Sequence, residues 1–130
     1  MDAKLREVLP AIEKRLQQED VESFKIGKAT SAKERFDDEE YRGYYYMSVI
    51  AVGDKDKINQ AERDCIEYFT KKSAIKDKCN NQIGGGGGCP EATELYIAAK
   101  QFYRPDENDD NRFDQMLGPK ELFGWKIINI

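Results

Sequence analysis

The stretch FKIGKATSAKER, residues 24–35, predicts a strand, a turn and the first turn of a helix. Phe24 and Ile26 alternate with polar or small residues, a period of two that is typical of a half-buried strand. Ser31 stands three residues before Glu34, a spacing at which the two side chains can cap the start of a helix. These local signals predict a strand–turn–helix unit at this position.

Three cations lie around the predicted turn: Lys25, Lys28 and Arg35. Phosphoryl chemistry places negative charge on the phosphate oxygens, so a turn that carries several cations suits a phosphodiester ligand. Surface lysines and arginines also occur around such turns in many globular domains. An ordinary solvated turn is therefore the alternative interpretation.

Length, composition and charge narrow the class of protein. The chain has 130 residues, and we predict one domain over residues 1–130 with a single core. Its aromatic and aliphatic content predicts a folded chain rather than global disorder. No apolar run is long enough to span a bilayer, and the N-terminus lacks a signal-peptide pattern, so we expect no membrane partner. The net charge of −4 argues against binding of nucleic acid through the overall charge of the protein. Any binding of nucleic acid would therefore require a local basic surface.

The cysteine and histidine contents exclude several chemistries. The three cysteines contain no CxxC pair, so they predict neither a disulfide framework nor a zinc site. They fit a reducing, intracellular location, cytoplasmic or nuclear. The chain has no histidine, which excludes histidine-based triads, HExxH metalloproteases and HNH-type nucleases. A general base must therefore be a Tyr, Lys, Asp or Glu side chain, or a metal-bound water.

The rest of the chain predicts alternating helices and strands. Asp2 would cap a helix over residues 3–19, with a kink or a fresh start at Pro10. The other predicted elements are a strand at 22–28, a short helix at 31–41, a strand at 43–52, a helix at 55–74 after Asp54, a loop at 76–90, a helix at 90–103 and a strand at 122–130. This order predicts an α/β (α+β) fold in which helices flank a small three-stranded sheet.

The strand at 43–52, GYYYMSVIAV, is apolar on both faces and is expected to be a central strand. Alternation would place Tyr44 and Tyr46 on one face of the sheet and Tyr45 on the other. Each tyrosine is either a packing residue or, in a chain without histidine, a candidate base.

Glu62 lies beside the apolar stripe of the predicted helix at 55–74. A carboxylate at that position would point towards the edge of the sheet or a cleft. The alternative is a boundary glutamate that forms an ion pair with a neighbouring lysine or arginine.

Residues 84–88, in the predicted loop, are five consecutive glycines. Regular structure would cost such a run much conformational entropy. The run is either a flexible linker or a loop whose amides approach a phosphate closely. No Gly-Lys-Ser/Thr follows the glycines, which excludes a Walker A loop.

Together these segments resemble the GIY-YIG nuclease superfamily, especially its viral and phage members. Lys25-Ile26-Gly27-Lys28 is similar to the second half of the family signature, which often reads YKIGKT. Arg35 follows Gly27 by eight residues, the spacing of the catalytic arginine in the family. Glu62, with Ile66 four residues later, is similar to the metal-binding glutamate of the family. Asn80 or Asn81 occupies the place of an asparagine that follows that helix in relatives.

The resemblance covers about residues 22–88 and implies a GIY-YIG-like core with an added N-terminal helix and an added C-terminal helix and strand. It implies a metal-dependent endonuclease, of viral or mobile-element origin, that hydrolyses DNA with Mg²⁺ or Mn²⁺ held at Glu62. The catalytic side chains that it implies are Arg35 and Glu62, and the tyrosine that serves as base in the family has no aligned counterpart here. On chemical grounds Lys28 would support the leaving oxygen, and Tyr44 or Tyr41 is the candidate base. The implied substrate-binding residues are Lys25, Gly27, Asn80 and Asn81. Whether the chain forms a homo-oligomer or takes its specificity from a partner stays open.

The sequence also departs from the family pattern. The strand that carries the GIY tripeptide and its tyrosine is not found upstream of Phe24, where a helix is predicted. The tyrosine of the YIG tripeptide is replaced by Lys25, or is displaced to Phe24, which has no hydroxyl. Glu39 stands four residues after Arg35, where the family often has His or Tyr, and Tyr41 lies close to that position. Two alternatives follow: a degenerate member that binds nucleic acid or protein without cutting, and an unrelated α/β interaction module in which Arg35 and Glu62 form a structural ion pair.

Two arrangements are expected from this interpretation. The strand at 122–130 would fill the sheet position of the missing GIY strand and bring Trp125 near Arg35. Arg35 and Glu62 would face one cleft, with Lys28 at its rim and a tyrosine hydroxyl within reach.

Overall fold

A computed structural model describes residues 1–81, 88–102 and 127–130, together with the backbone of residues 113–114. Over these residues the helices and strands, in chain order, are α1 (Ala3–Leu16), β1 (Val21–Ala29), α2 (Ala32–Arg35), β2 (Tyr46–Val52), α3 (Lys55–Glu67), β3 (Glu94–Gln101), β4 (Phe113–Asp114) and β5 (Ile128–Asn129). A 3₁₀ turn at Glu39–Tyr41 follows α2, and a π-helical turn at Tyr68–Lys72 extends α3. Across the described parts of the chain, no helix combines the length and apolar character that crossing a bilayer requires.

The strands form one mixed sheet in the order β1–β3–β2–β4. The strand β3 is antiparallel to both β1 and β2, whereas β4 and β5 each pair with β2 in parallel. The predicted class, an α/β domain with helices flanking a small sheet, is confirmed. The sheet has two short strands more than the three that were predicted, and β2 lies inside it, as expected.

The prediction of a helix at 90–103 is wrong, because Glu94–Gln101 is a strand. The residues from Leu95 to Ala99 are all buried, a pattern that fits a buried helix as well as a strand covered on both faces. Two alanines and a lysine also favour a helix locally. Pairing with a strand on each side satisfies the backbone of β3, and this tertiary context outweighs the local preference.

The helix starts follow the predicted caps. The side chains of Asp2, Ser31 and Asp54 accept hydrogen bonds of 2.9 to 3.3 Å from backbone amides in the first turn of α1, α2 and α3. The helix α1 runs without a break through Pro10, so there is no fresh start at that residue. The helix α2 is shorter than the predicted 31–41, because the chain leaves it at Arg35 and tightens into the 3₁₀ turn.

Buried side chains form a cluster on each face of the sheet. The first cluster joins alternate residues of the strands to α1 and α3, and the second joins the remaining strand residues to α2 and the 3₁₀ turn. Tyr44 belongs to the second cluster, whereas Tyr45 and Tyr46 both belong to the first. The predicted pairing of Tyr44 with Tyr46 on one face is therefore wrong, because β2 begins only at Tyr46 and the alternation of a strand does not extend back to Tyr44.

The C-terminal residues pair with β2 and not with β1. Ile128 and Asn129 lie beside Ala51 and Val52, and the Ile130 amide donates a 2.9 Å hydrogen bond to the Val52 carbonyl. The sheet neighbour of β1 is β3, so residues 127–130, the described part of this segment, do not lie next to Lys25–Lys28. Trp125 and the rest of the predicted strand before residue 127 lie outside the described residues.

Candidate functional site

A cleft of about 320 Å³ runs along β1. Its lining includes most of the side chains that the sequence singled out: Lys25, Gly27, Lys28, Arg35, Tyr41, Glu62, Asn80 and Asn81. The cleft reaches both faces of the sheet, because successive side chains of β1 point to opposite faces. Lys28 contacts α3 on one face, and Lys25 contacts the 3₁₀ turn on the other.

Lys28 and Glu62 form the buried wall of the cleft. Each residue is about 95% buried, and Lys28 Nζ lies 3.4 Å from Glu62 Oε1. Lys28 Nζ also donates a short hydrogen bond to Asn59 Oδ1 on α3, and Asn59 in turn donates to the Pro90 carbonyl at 3.0 Å. The burial of Glu62 raises its pKa, and the Lys28 ammonium offsets only part of that rise.

Glu62 Oε1 is a buried oxygen without a hydrogen-bond partner among the described residues. The contact with Lys28 at 3.4 Å is an ion pair rather than a well-formed hydrogen bond. A buried acceptor without a hydrogen-bond partner is energetically costly. Glu62 Oε1 is therefore the atom of this wall with unused hydrogen-bonding capacity.

Arg35 lies at the C-terminal end of α2, on the other side of β1. Its Nε is 3.3 Å from Asp38 Oδ2, and its Nη1 is 3.6 Å from Glu40 Oε1. The other oxygen of Glu40 is 3.1 Å from Lys25 Nζ. Among the described ion pairs Arg35 has none with Glu62, so the structural pair of the third alternative is not formed.

Tyr96 on β3 is the site residue that the sequence reasoning missed. It pairs with Gly27 across the β1–β3 ladder, and its ring covers the glycine so closely that a Cβ there would overlap the ring. Its hydroxyl forms a 2.5 Å hydrogen bond with the Tyr41 hydroxyl, and both tyrosines are only 2% exposed. The signal that identifies Tyr96 is the run of apolar residues after Pro90. As a strand, this run makes Tyr96 a candidate base that can pair with the strand of Gly27.

The ionisation of the two tyrosines is coupled. Burial raises the pKa of Tyr96 to about 12, although the hydrogen bond from Tyr41 and the charge of Arg35 lower it. Burial and the contact with Tyr96 raise the pKa of Tyr41 well above its usual range.

Asn80 and Asn81 hold the loop after α3 against β1. Asn81 Oδ1 accepts from the Ile26 amide and Asn81 Nδ2 donates to the Ile26 carbonyl, both at 2.8 Å. Asn80 Nδ2 donates to Ser23 Oγ at 3.0 Å and to Tyr44 Oη at 3.1 Å. These amides fix the edge of the cleft, and Tyr44 contacts this edge without being among the residues that line the cleft.

The glycine run is described only at Gly88, which lines the cleft with Cys89 and has a φ of +72°. Residues 82–87 lie outside the described residues, so both interpretations of the run stay predictions.

The donor set for a metal ion is sparse. The described residues contain no group of three or more His, Cys, Asp or Glu side chains that could hold an ion together. Mg²⁺ commonly keeps several waters and needs only one or two carboxylates from the protein. Glu62 is the carboxylate of the cleft wall that would supply such a ligand, and its Oε1 is also 3.4 Å from the Lys28 ammonium.

The fold and the site define an α/β domain in which one cleft is lined by a buried tyrosine, two half-buried cations and a buried Lys–Glu pair. Comparisons of the chain with models of protein families, with curated proteins and with solved structures found no match.

Proposed function

We propose that this chain is a nuclease of GIY-YIG type that hydrolyses DNA phosphodiester bonds. The observation that carries the proposal is one cleft along β1 that Arg35, Glu62 and Tyr96 line together, with the ring and hydroxyl of Tyr96 against Gly27. The cleft combines a cation that could bind phosphate, a carboxylate whose Oε1 has no hydrogen-bond partner among the described residues, and a candidate base. These are the groups that phosphodiester hydrolysis requires.

Tyr96 is the residue to which we assign the role of base. It comes from a strand that follows the signature strand in the chain, whereas relatives carry their tyrosine strand before it. Sequence order does not matter to the chemistry, because β3 pairs directly with β1 and brings the hydroxyl to Gly27. Tyr41, which was a candidate base, becomes the partner whose hydroxyl donates to the Tyr96 oxygen and stabilises its phenolate.

Arg35 binds the phosphate and neutralises the charge that develops on its oxygens. Lys28 stabilises the leaving oxygen, since its ammonium is buried and held in place by Asn59 and Glu62. An Mg²⁺ or Mn²⁺ ion at Glu62 would add positive charge near the phosphate and lower the pKa of a bound water.

A nicking assay on supercoiled plasmid tests the proposal. The wild type should cut only with Mg²⁺ or Mn²⁺, and Glu62→Gln, Arg35→Ala and Tyr96→Phe should each lower the rate at least about 100-fold. Arg42→Ala is the matched control, because Arg42 is an exposed cation outside the cleft. Cleavage that survives Glu62→Gln would exclude Glu62 as the metal ligand, and cleavage that survives Tyr96→Phe would exclude Tyr96 as the base.

A second candidate function is binding of nucleic acid without cleavage. It is favoured by the burial of Tyr96, which raises the pKa of the assigned base to about 12 and so keeps its hydroxyl protonated at neutral pH. DNA binding that Arg35→Ala weakens, with no cutting by the wild type, would establish it. If the wild type neither binds nor cuts DNA, the unrelated interaction module is the better description.

Location and assembly belong to the same proposal. The three free cysteines fit a reducing compartment, either cytoplasmic or nuclear. A viral or mobile-element origin, and a partner or second copy that supplies specificity, follow only from the family resemblance.

A further inference from the structure

Glu40 places one carboxylate between the two half-buried cations of the cleft, Lys25 and Arg35. Its Oε2 is 3.1 Å from Lys25 Nζ, and its Oε1 is 3.6 Å from Arg35 Nη1. Glu40 lines the same cleft as Tyr96 and Glu62. Two oxygens of one anion that face two cations reproduce the contacts that two oxygens of a phosphate would make.

The contacts of the Glu40 carboxylate are easily exchanged. Its side chain is 47% exposed, and the side chains of Lys25 and Arg35 are about 30% exposed. Ion pairs with this exposure contribute little to stability, so little opposes a rotation of the carboxylate into water. The backbone of the turn stays in place, because the adjacent Tyr41 is buried and hydrogen-bonded to Tyr96. The Lys28–Glu62 pair differs, since both of its side chains are more than 90% buried.

We propose that Glu40 is a specificity-determining residue that occupies the phosphate position of the cleft until a ligand phosphate replaces it. Glu40 lowers the affinity for every anion, and it favours ligands whose phosphate oxygens reach both Lys25 and Arg35. The assignment of the ligand as a polynucleotide phosphate rests on the proposed function. The competition between Glu40 and phosphate does not.

Binding without metal separates this inference from catalysis. The affinity for inorganic phosphate and for a short single-stranded DNA oligonucleotide is measured in EDTA, by NMR titration and by fluorescence anisotropy. Glu40→Gln should bind both about 3- to 10-fold more tightly than the wild type, because it removes a competing charge at nearly constant size. Glu39→Gln changes the net charge equally at a residue whose side chain is 87% exposed, and should change the affinity less than about twofold.

A double substitution locates the effect. In an Arg35→Ala background, adding Glu40→Gln should bring less than about a twofold gain, because one of the two cations that Glu40 bridges is missing. A full gain in that background would overturn the proposal, since the effect would then be general electrostatics. Thermal unfolding of each variant verifies that it is folded.

The remaining outcomes are equally decisive. Equal affinities of Glu40→Gln and Glu39→Gln, or no phosphate binding by either, would overturn the proposal. A gain for inorganic phosphate but not for the oligonucleotide would assign the subsite to small phosphate compounds and overturn the polynucleotide assignment. If Glu40→Gln binds phosphate more tightly but neither it nor the wild type cuts DNA, the role of Glu40 stands and the nuclease is rejected. If the wild type cuts DNA but Glu40→Gln binds phosphate no more tightly, the nuclease stands and the role of Glu40 is rejected.

Discussion

Gly27 sets how closely the tyrosine of β3 approaches β1. Its φ lies outside the left-handed region, so the backbone conformation there is open to other residues. The glycine is required for space, because the ring and hydroxyl of Tyr96 occupy the volume of a Cβ. A small residue at this position therefore positions the Tyr96 hydroxyl in the cleft.

Gly27→Ala should destabilise the protein by about 1–3 kcal/mol, because the new methyl group overlaps the buried ring of Tyr96. In a Tyr96→Ala background the same change should be neutral or stabilising by up to about 1 kcal/mol, since alanine restricts the unfolded chain more than glycine does. Urea unfolding of the four proteins measures the coupling. Equal costs in the two backgrounds would show that the ring is not what excludes a side chain.

The buried tyrosine pair predicts a loss of stability at alkaline pH. Burial raises the pKa of Tyr96 from 10.0 to about 12, so the folded state holds this proton more tightly than the unfolded state. The stabilisation is complete below about pH 10 and is lost between about pH 10 and 12, up to about 2–3 kcal/mol. Tyr96→Phe should flatten this part of the pH profile of unfolding free energy, and unchanged slopes would contradict the prediction.

At the scale of elements, the described residues that cover the free edge of β1 are the side chain of Asn81 and a single parallel backbone bridge between Phe24 and Cys79. The amide of Asn81 makes both hydrogen bonds to Ile26 that a neighbouring strand residue would make. Nearby, the Asn80 amide donates to the Phe24 carbonyl at 2.7 Å. These contacts protect an edge strand from pairing with other chains and hold the loop that borders the cleft.

Asn81→Ala should cost about 1–3 kcal/mol and speed hydrogen exchange at the Ile26 amide, because that amide loses its acceptor. Asn80→Ala is the control, since the Asn80 side chain donates to two hydroxyls and not to Ile26. The control should leave exchange at Ile26 nearly unchanged. Equal exchange rates in both variants would mean that Asn81 does not hold the edge.

At the scale of the whole molecule, an acidic chain carries a small local set of cations. The net charge is −4, and the cleft gathers the cations Lys25, Lys28 and Arg35, each of which faces a carboxylate. Binding of DNA would therefore depend on few phosphate contacts, and charge outside the cleft would oppose it.

The salt dependence of DNA binding tests this view. If only the three cations of the cleft engage phosphates, the slope of log K against log salt should be no steeper than about −3. Arg35→Ala should make the slope shallower by about one unit. Anisotropy titrations over a range of salt concentrations measure both values, and a much steeper slope would place DNA on a surface beyond the cleft.

The sequence by itself determined the elements with strong local signals. The period-2 pattern around Ile26, the cap residues Ser31 and Asp54, and the apolar stripe beside Glu62 each rest on neighbours in the chain. Spacing along one strand and one helix also fixed where Lys28 and Arg35 stand relative to Gly27. Such features could be predicted because caps and periodicity depend on residues only a few positions apart.

Only the tertiary structure decided where Tyr96 lies. Its segment has no local pattern that separates a helix from a buried strand, and its pairing partners on β1 and β2 are distant in sequence. The same holds for Glu40, whose contact with Lys25 joins residues 15 positions apart. Strand pairing satisfies backbone groups across such distances, and this long-range requirement brought the tyrosine to Gly27 from a part of the chain where the sequence predicted a helix.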